Sequence, residues 1–146
     1  YLCSEGRSGA GAVEGCAIMK IALVGSREYK HLGLVVKYVK SLPADTIIVS
    51  GGARGVDSVA ANTARDCGLE VEIIPALWNV YGRQAGMIRN GEIVRKADQV
   101  IAFWDETSRG TLDSIKKAKA QNKPLEVYGK DGQLIGDWDA RKTPDA

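Results

Sequence analysis

Apolar residues fall into two kinds of run that alternate along the chain. Short, nearly unbroken runs at Lys20 to Gly25 ("KIALVG"), Thr46 to Val49 ("TIIV"), Leu69 to Pro75 ("LEVEIIP"), Gln99 to Trp104 ("QVIAFW") and Pro124 to Tyr128 ("PLEVY") read as five strands. Between them apolar residues recur at steps of three and four. Leu32, Val35, Val36, Val39 and Leu42 form one helical face, and Val56, Val59, Ala60, Thr63, Ala64 and Cys67 form another, with Gly68 as its stop. A longer connection holding Trp78 and Tyr81 leads to a helix from about Arg83 to Ala97, and Gly110 to Gln121 reads as a further helix with lysines on its polar face. Strands alternating with helices predict an α/β fold, a three-layer parallel sheet of about five strands with helices on both faces. Leu23, Ile48, Ile73 and Ile101 are then expected in central strands with little access to solvent.

The ends lack this pattern. Tyr1 to Ile18 is rich in Gly, Ala and Ser without an apolar period, so residues 1–18 read as an extension, disordered or added, before a domain spanning 19–128. Residues 129–146 carry Gly, Asp and Lys turn signals around Leu134 and Ile135, which predicts an edge hairpin or docked strand and then a loose tail.

Composition narrows the function classes. Across 146 residues, 20 Lys and Arg face 18 Asp and Glu, a formal net charge of +2. No general field announces nucleic acid or an anionic membrane, so any basic site must be local. No apolar run approaches the ~20 residues that span a bilayer, and the opening residues lack the form of a secretion signal; the expectation is a cytoplasmic protein. Cys3, Cys16 and Cys67 are an odd, unpaired set and His31 is the lone histidine, so neither a disulfide framework nor a metal site is called for, and no cofactor. Cys67, on an apolar stripe, reads as core packing.

Ligands of a parallel α/β sheet bind at the carboxyl ends of its strands. There the sequence sets "GSR" (Gly25 to Arg27), "SGGARGVD" (Ser50 to Asp57), the Trp78 loop and "DETSRGT" (Asp105 to Thr111). Gly, Ser, Thr and Arg recur on this one rim, and a phosphate explains them economically. Ser26, Ser50 and Thr111 offer hydroxyls, the glycines allow close backbone approach, helix starts add partial positive charge, and Arg27, Arg54 and Arg89 add forked donors. Trp78 and Trp104 suit either base stacking or packing. Asp57 suits the dipole of the helix it begins.

Taken in order, "GSR", "IVSGGARGVDSVAANTA", "YGRQAGMIRN" and "AFWDETSRGTLDSI" resemble the SLOG superfamily of Rossmann-like proteins, above all its small stand-alone YspA-like branch. Relatives in that superfamily are the DNA-processing proteins and the lonely guy cytokinin-activating enzymes. The resemblance covers about Lys20 to Tyr128 and implies a Rossmann-like sheet with a nucleotide or nucleotide-derived ligand above it. Gly25, Ser26 and Arg27 match the first-strand motif, and Ser50, Gly51, Gly52, Gly55 and Asp57 the second. Arg89 and Asn90 match the helix motif, while Gly110 and Thr111 match a phosphate turn shared with the lonely guy enzymes. Those enzymes hydrolyse the N-glycosidic bond of nucleoside 5′-monophosphates with an arginine and a glutamate just after that turn. Here "ETSRGTLDSI" lacks the leading Pro-Gly-Gly and the glutamate. Ser114 or Ile115 stands in its place, and Asp113 is one residue early, turned by about 100° on a helix.

Three functions are implied, in this order: binding of a nucleotide-like phosphorylated ligand as sensor or carrier; N-glycosidic hydrolysis with Asp57 or Asp113 beside Arg89; and single-stranded DNA binding, placed last because of the balanced charge. Family habit adds a homodimer.

Overall fold

A computed structural model describes residues 19–52 and 55–138. The extension 1–18 with Cys3 and Cys16, the rim residue Arg54 and the tail 139–146 lie outside the described residues. In chain order the elements are β1 (Lys20–Gly25), α1 (Leu32–Lys40), β2 (Ile47–Ser50), α2 (Val56–Asp66), β3 (Glu70–Ile73), α3 (Trp78–Tyr81), a 3₁₀ turn (Gly82–Gln84), α4 (Ala85–Lys96), β4 (Gln99–Phe103), α5 (Arg109–Ala120), β5 (Leu125–Tyr128) and β6 (Leu134–Trp138).

The strands form one sheet in the order β3-β2-β1-β4-β5-β6. The first five are parallel, and β6 pairs antiparallel with β5. A sixth strand thus extends the expected sheet. Alternate residues of the central strands feed two cores. Leu23, Ile48, Ile101 and Phe103 pack with Val35 and Val39 of α1 and Val56 and Ala60 of α2. On the opposite face Ala22, Val24, Val49, Val100 and Ala102 pack with Ile93 and Val94 of α4 and Ile115 and Ala118 of α5. Strands covered on both sides have no polar face, which is why their sequences read as runs rather than alternations. Cys67 is half-buried against the first core, as its stripe implied.

Two expectations change. Leu23, Ile48 and Ile101 are fully buried, but Ile73 is 39% exposed. Its strand is the sheet's edge, with a neighbour on one side only. The long connection is not an open loop either: Trp78 to Gln84 winds into α3 and the 3₁₀ turn, and α4 proper begins at Ala85. Among the described residues no helix is long and apolar enough to cross a membrane.

The chain runs outward from β1 to β3 on one side, then crosses to β4 on the other. Its strand order therefore reverses between β1 and β4, and the helices after those two strands diverge to opposite faces. That divergence opens a crevice at their carboxyl ends.

Candidate functional site

A cavity of about 510 Å³ occupies this crevice. Gly25, Arg27 and Glu28 reach it from the turn after β1, Asp57 from α2, Arg83 from the 3₁₀ turn, Arg89 and Asn90 from α4, and Asp105, Ser108, Gly110 and Thr111 from the segment that starts α5. Four segments remote in sequence meet because each follows a strand at the same end of one sheet.

The start of α5 is built most firmly. One carboxylate oxygen of Asp105 accepts from the N–H groups of Thr107 (2.9 Å) and Ser108 (2.8 Å), folding "DETS" into a side-chain-closed turn. Burial alone would raise the Asp105 carboxyl. The N–H donors of Thr107 and Ser108, with the hydroxyls of Thr107 and Ser26, outweigh it and hold the group below the ordinary aspartate value. Ser108 caps the helix by accepting from the Thr111 N–H (3.4 Å), while its carbonyl accepts from the Trp104 indole N–H (3.0 Å). Ser26, only 1% exposed, accepts from the Asp105 N–H (3.1 Å) and shares a hydrogen bond with the Thr111 hydroxyl (3.4 Å). Asn90 donates to the Gly110 carbonyl (3.3 Å) and to Asp113 (3.1 Å), joining α4 to α5. These ties fix a helix start beside the cavity, where first-turn amides have no intrahelical acceptor and attract anions.

The glycine turn after β2 is the other wall. The Ser50 hydroxyl accepts from the Gly52 N–H (3.2 Å), and Arg89 Nη1 donates to the Gly51 carbonyl (3.0 Å). The Arg89 Nε is buried without a hydrogen-bond partner, and none of the ion pairs among described residues includes Arg89. An acidic bridge from Arg89 to Asp57, Asp105 or Asp113 is thus not among them. Gly55 has φ +80°, and a Cβ there would stand 2.6 Å from the Arg27 carbonyl oxygen, so the turns after β1 and β2 touch through their backbones.

Gly25, Arg27, Asp57, Arg89, Asn90, Gly110 and Thr111 therefore line one cavity, with Ser26, Ser50 and Gly51 in supporting contacts. Gly52 stands exposed on the same turn. Trp104 is half-buried and packs against the second core. Trp78, 56% exposed, lies on α3 outside the cavity lining. Asp113 also lies outside it; Lys117 Nζ sits 2.6 Å and 2.7 Å from its two oxygens. Sequence reasoning missed Arg83 and Ser108. The first was absorbed into a helix start, whereas Asp-x-Thr-Ser before a helix is a readable turn-and-cap signal for the second.

Residues 9–90 match the sequence profile of the family described as DNA recombination-mediator protein A. The match takes in the turns after β1 and β2 and reaches Asn90, but ends before α5. Gene 61 protein of Mycobacterium phage D29 is 32% identical over 120 residues, 75% of this chain and 96% of the phage protein. Among solved structures, DNA processing protein A from Helicobacter pylori, described as having a unique single-stranded DNA binding mode, is similar with TM-score 0.60 and 21% identity over 84% of this chain and 69% of that one. DNA processing protein A from Streptococcus pneumoniae is similar with TM-score 0.66 and 22% identity over 75% of this chain and 50% of that one. At such identity the two structures support the fold alone, the Rossmann-like sheet expected from the motifs.

Proposed function

The chain belongs to the DNA recombination-mediator protein A family, and from that premise we propose that it binds single-stranded DNA at the rim above β1 and β4, one phosphate resting between Arg89 and the start of α5. The carrying observation is Arg89: its guanidinium donates to one backbone carbonyl, keeps a buried Nε without a partner, and borders the cavity. A cation so placed calls for an anion, and a phosphodiester supplies one without regard to base.

This reading moves DNA from last place to first. The near-zero net charge argued against it, but that sum hides a local arrangement. Arg27, Arg83 and Arg89 border the cavity together with Glu28, Asp57 and Asp105. Of those acids, Asp105 is engaged by Thr107 and Ser108, and Asp57, 7% exposed, is buried in the first turn of α2, where it complements that helix's dipole. The concave shape favours an unpaired strand, whose nucleotide can turn inward, over a duplex.

The test is fluorescence anisotropy with labelled oligothymidylate beside the matching duplex. The single strand should bind more tightly than the duplex, and Arg89→Ala should weaken it by about 1.5–3 kcal/mol while losing only the hydrogen bond to Gly51 from the fold, about 0.5–1.5 kcal/mol of stability. No binding by the wild-type protein, or equal affinity in the variant, would overturn the proposal. The cavity volume, about 510 Å³, favours one second reading, a free nucleotide-like ligand, since small-molecule sites run from about 300 to 1,000 Å³. Saturable calorimetric binding of a nucleoside 5′-monophosphate, with no binding of oligothymidylate, would select it.

A further inference from the structure

Ten large apolar residues are exposed among the described residues, and seven of them fall between Ile73 and Ile88. Trp78 is 56% exposed, Tyr81 46% and Met87 53%, and α3 itself buries no residue. Met87 lines the cavity, and the Trp78 ring flanks it. The far end of the Trp78 indole is 3.5 Å from the point where a Cβ on Gly86 would stand, and Arg89 Nη2 is 4.0 Å from the same point. Gly86 lines the cavity, so indole, glycine backbone and guanidinium follow one another along its lip. Tyr81 lines a second hollow of about 330 Å³, and Arg89 lines that one too.

We propose that Trp78 and Tyr81 form a stacking platform for unpaired nucleobases of the same strand whose phosphate sits at Arg89, an inference that rests on the single-strand reading above. Charge complementarity selects this occupant. Arg83 and Arg89 line the cavity whose Gly86 lip adjoins the Trp78 indole, and Arg89 also lines the hollow that holds Tyr81, so a strand crossing the lip sets its phosphates against arginines and its bases against aromatic faces. Every base has such a face, which makes the contact tolerant of sequence. A second copy of the chain fits the patch less well. Glu72 is paired there with Lys20 (3.4 Å) and Lys96 (3.1 Å), and Glu92 with Arg95. Another protein surface would desolvate those pairs at a cost, whereas a hydrated strand leaves them in water.

The experiment compares oligothymidylate with an abasic oligonucleotide of equal length, using the full chain, Trp78→Ala, Trp78→Phe, Tyr81→Ala and Arg89→Ala, each checked by melting curve and sedimentation velocity. Wild type should prefer oligothymidylate over the abasic strand by about 5- to 150-fold for each base stacked. Trp78→Ala and Tyr81→Ala should each lose much of that preference, Trp78→Phe should keep most of it, and Arg89→Ala should weaken both ligands together. Equal wild-type affinity for the two strands, or an unaltered preference in both alanine variants, would overturn the platform while leaving single-strand binding in place. Failure of wild type to bind either strand would overturn both. A wild-type dimer that Trp78→Ala splits without altering the base preference would make the patch a self-interface and overturn the platform as well.

Discussion

Gly51 and Gly55 stand four residues apart in one turn, yet their missing side chains protect different things. A Cβ on Gly51 would meet the Arg89 guanidinium, with Nη1 at 2.7 Å, and that group is the far end of a flexible side chain that can move off. Gly51→Ala is expected to lose the Arg89 hydrogen bond, about 0.5–1.5 kcal/mol of stability, and to weaken oligothymidylate binding because the guanidinium is displaced. A Cβ on Gly55 would strike the backbone of Arg27 at a positive φ, where nothing can yield. Gly55→Ala is expected to cost at least about 1–3 kcal/mol from backbone strain alone. Urea melts beside anisotropy separate the two: the first variant should fail chiefly in binding, the second in folding. Asp105 adds a pH signature. Its carboxyl is held below the ordinary value in the folded protein, so the stabilisation is full above the unfolded value, near 3.9, and is lost as pH falls through the folded value. Melting temperatures should therefore fall below about pH 4, and Asp105→Asn should lessen that fall. An equal fall in the variant would assign the acid sensitivity elsewhere. The glycine turns were readable from residue type and position, because strand-turn-helix junctions restrict what can stand there, whereas Arg89, inside α4, was directed to the rim by the family motif. The guanidinium's choice of a carbonyl over a carboxylate was not readable, since it depends on how α4 lies against the turn after β2.

At the level of elements, the five parallel strands were visible because burial on both faces erases polar positions, and the first two helices because one face of each is packed. What the runs do not carry is order across the sheet. "TIIV" and "LEVEIIP" look equally apolar, yet β2 is enclosed by two neighbours and β3 closes the sheet on one side. The consequence is measurable. Ile48, fully buried, should cost about 2–5 kcal/mol when replaced by Ala. Ile73, 39% exposed, should cost well under half as much, because much of its surface is already wet. Similar losses for both in chemical denaturation would contradict an edge position for β3. Trp78 to Gln84 escaped the sequence reading for a related reason. Helical periodicity registers burial, and an element that buries nothing leaves no period. The sixth strand is short, apolar only in part and set behind a turn, so "edge hairpin or docked strand" was as far as pattern alone could go.

For the molecule as a whole, charge is the property on which the two readings divide and also the one that yields the sharpest test. A formal net charge of +2 describes all 146 residues, whereas a strand feels mainly what lies within about a Debye length, ~10 Å at moderate salt. Within the cavity lining that means Arg27, Arg83 and Arg89, opposed by exposed Glu28 and by two acids already engaged or buried. Three arginines can neutralise about three phosphates, and each contact to a single strand contributes roughly 0.7 to the slope of log affinity against log salt. The expected slope is about −2, so that raising salt from about 50 to 200 mM should weaken oligothymidylate binding by roughly 20-fold. Arg27→Ala and Arg83→Ala should each lower the slope's magnitude by about 0.7, whereas Trp78→Ala should lower affinity at every salt concentration without changing it. A slope near −5 in the wild type would demand a broad basic face, which the balanced composition does not supply, and would move the binding surface away from the cavity. A slope near zero would mean that the strand is not held through its phosphates, and the reading of Arg89 as a phosphate clamp would fall with it.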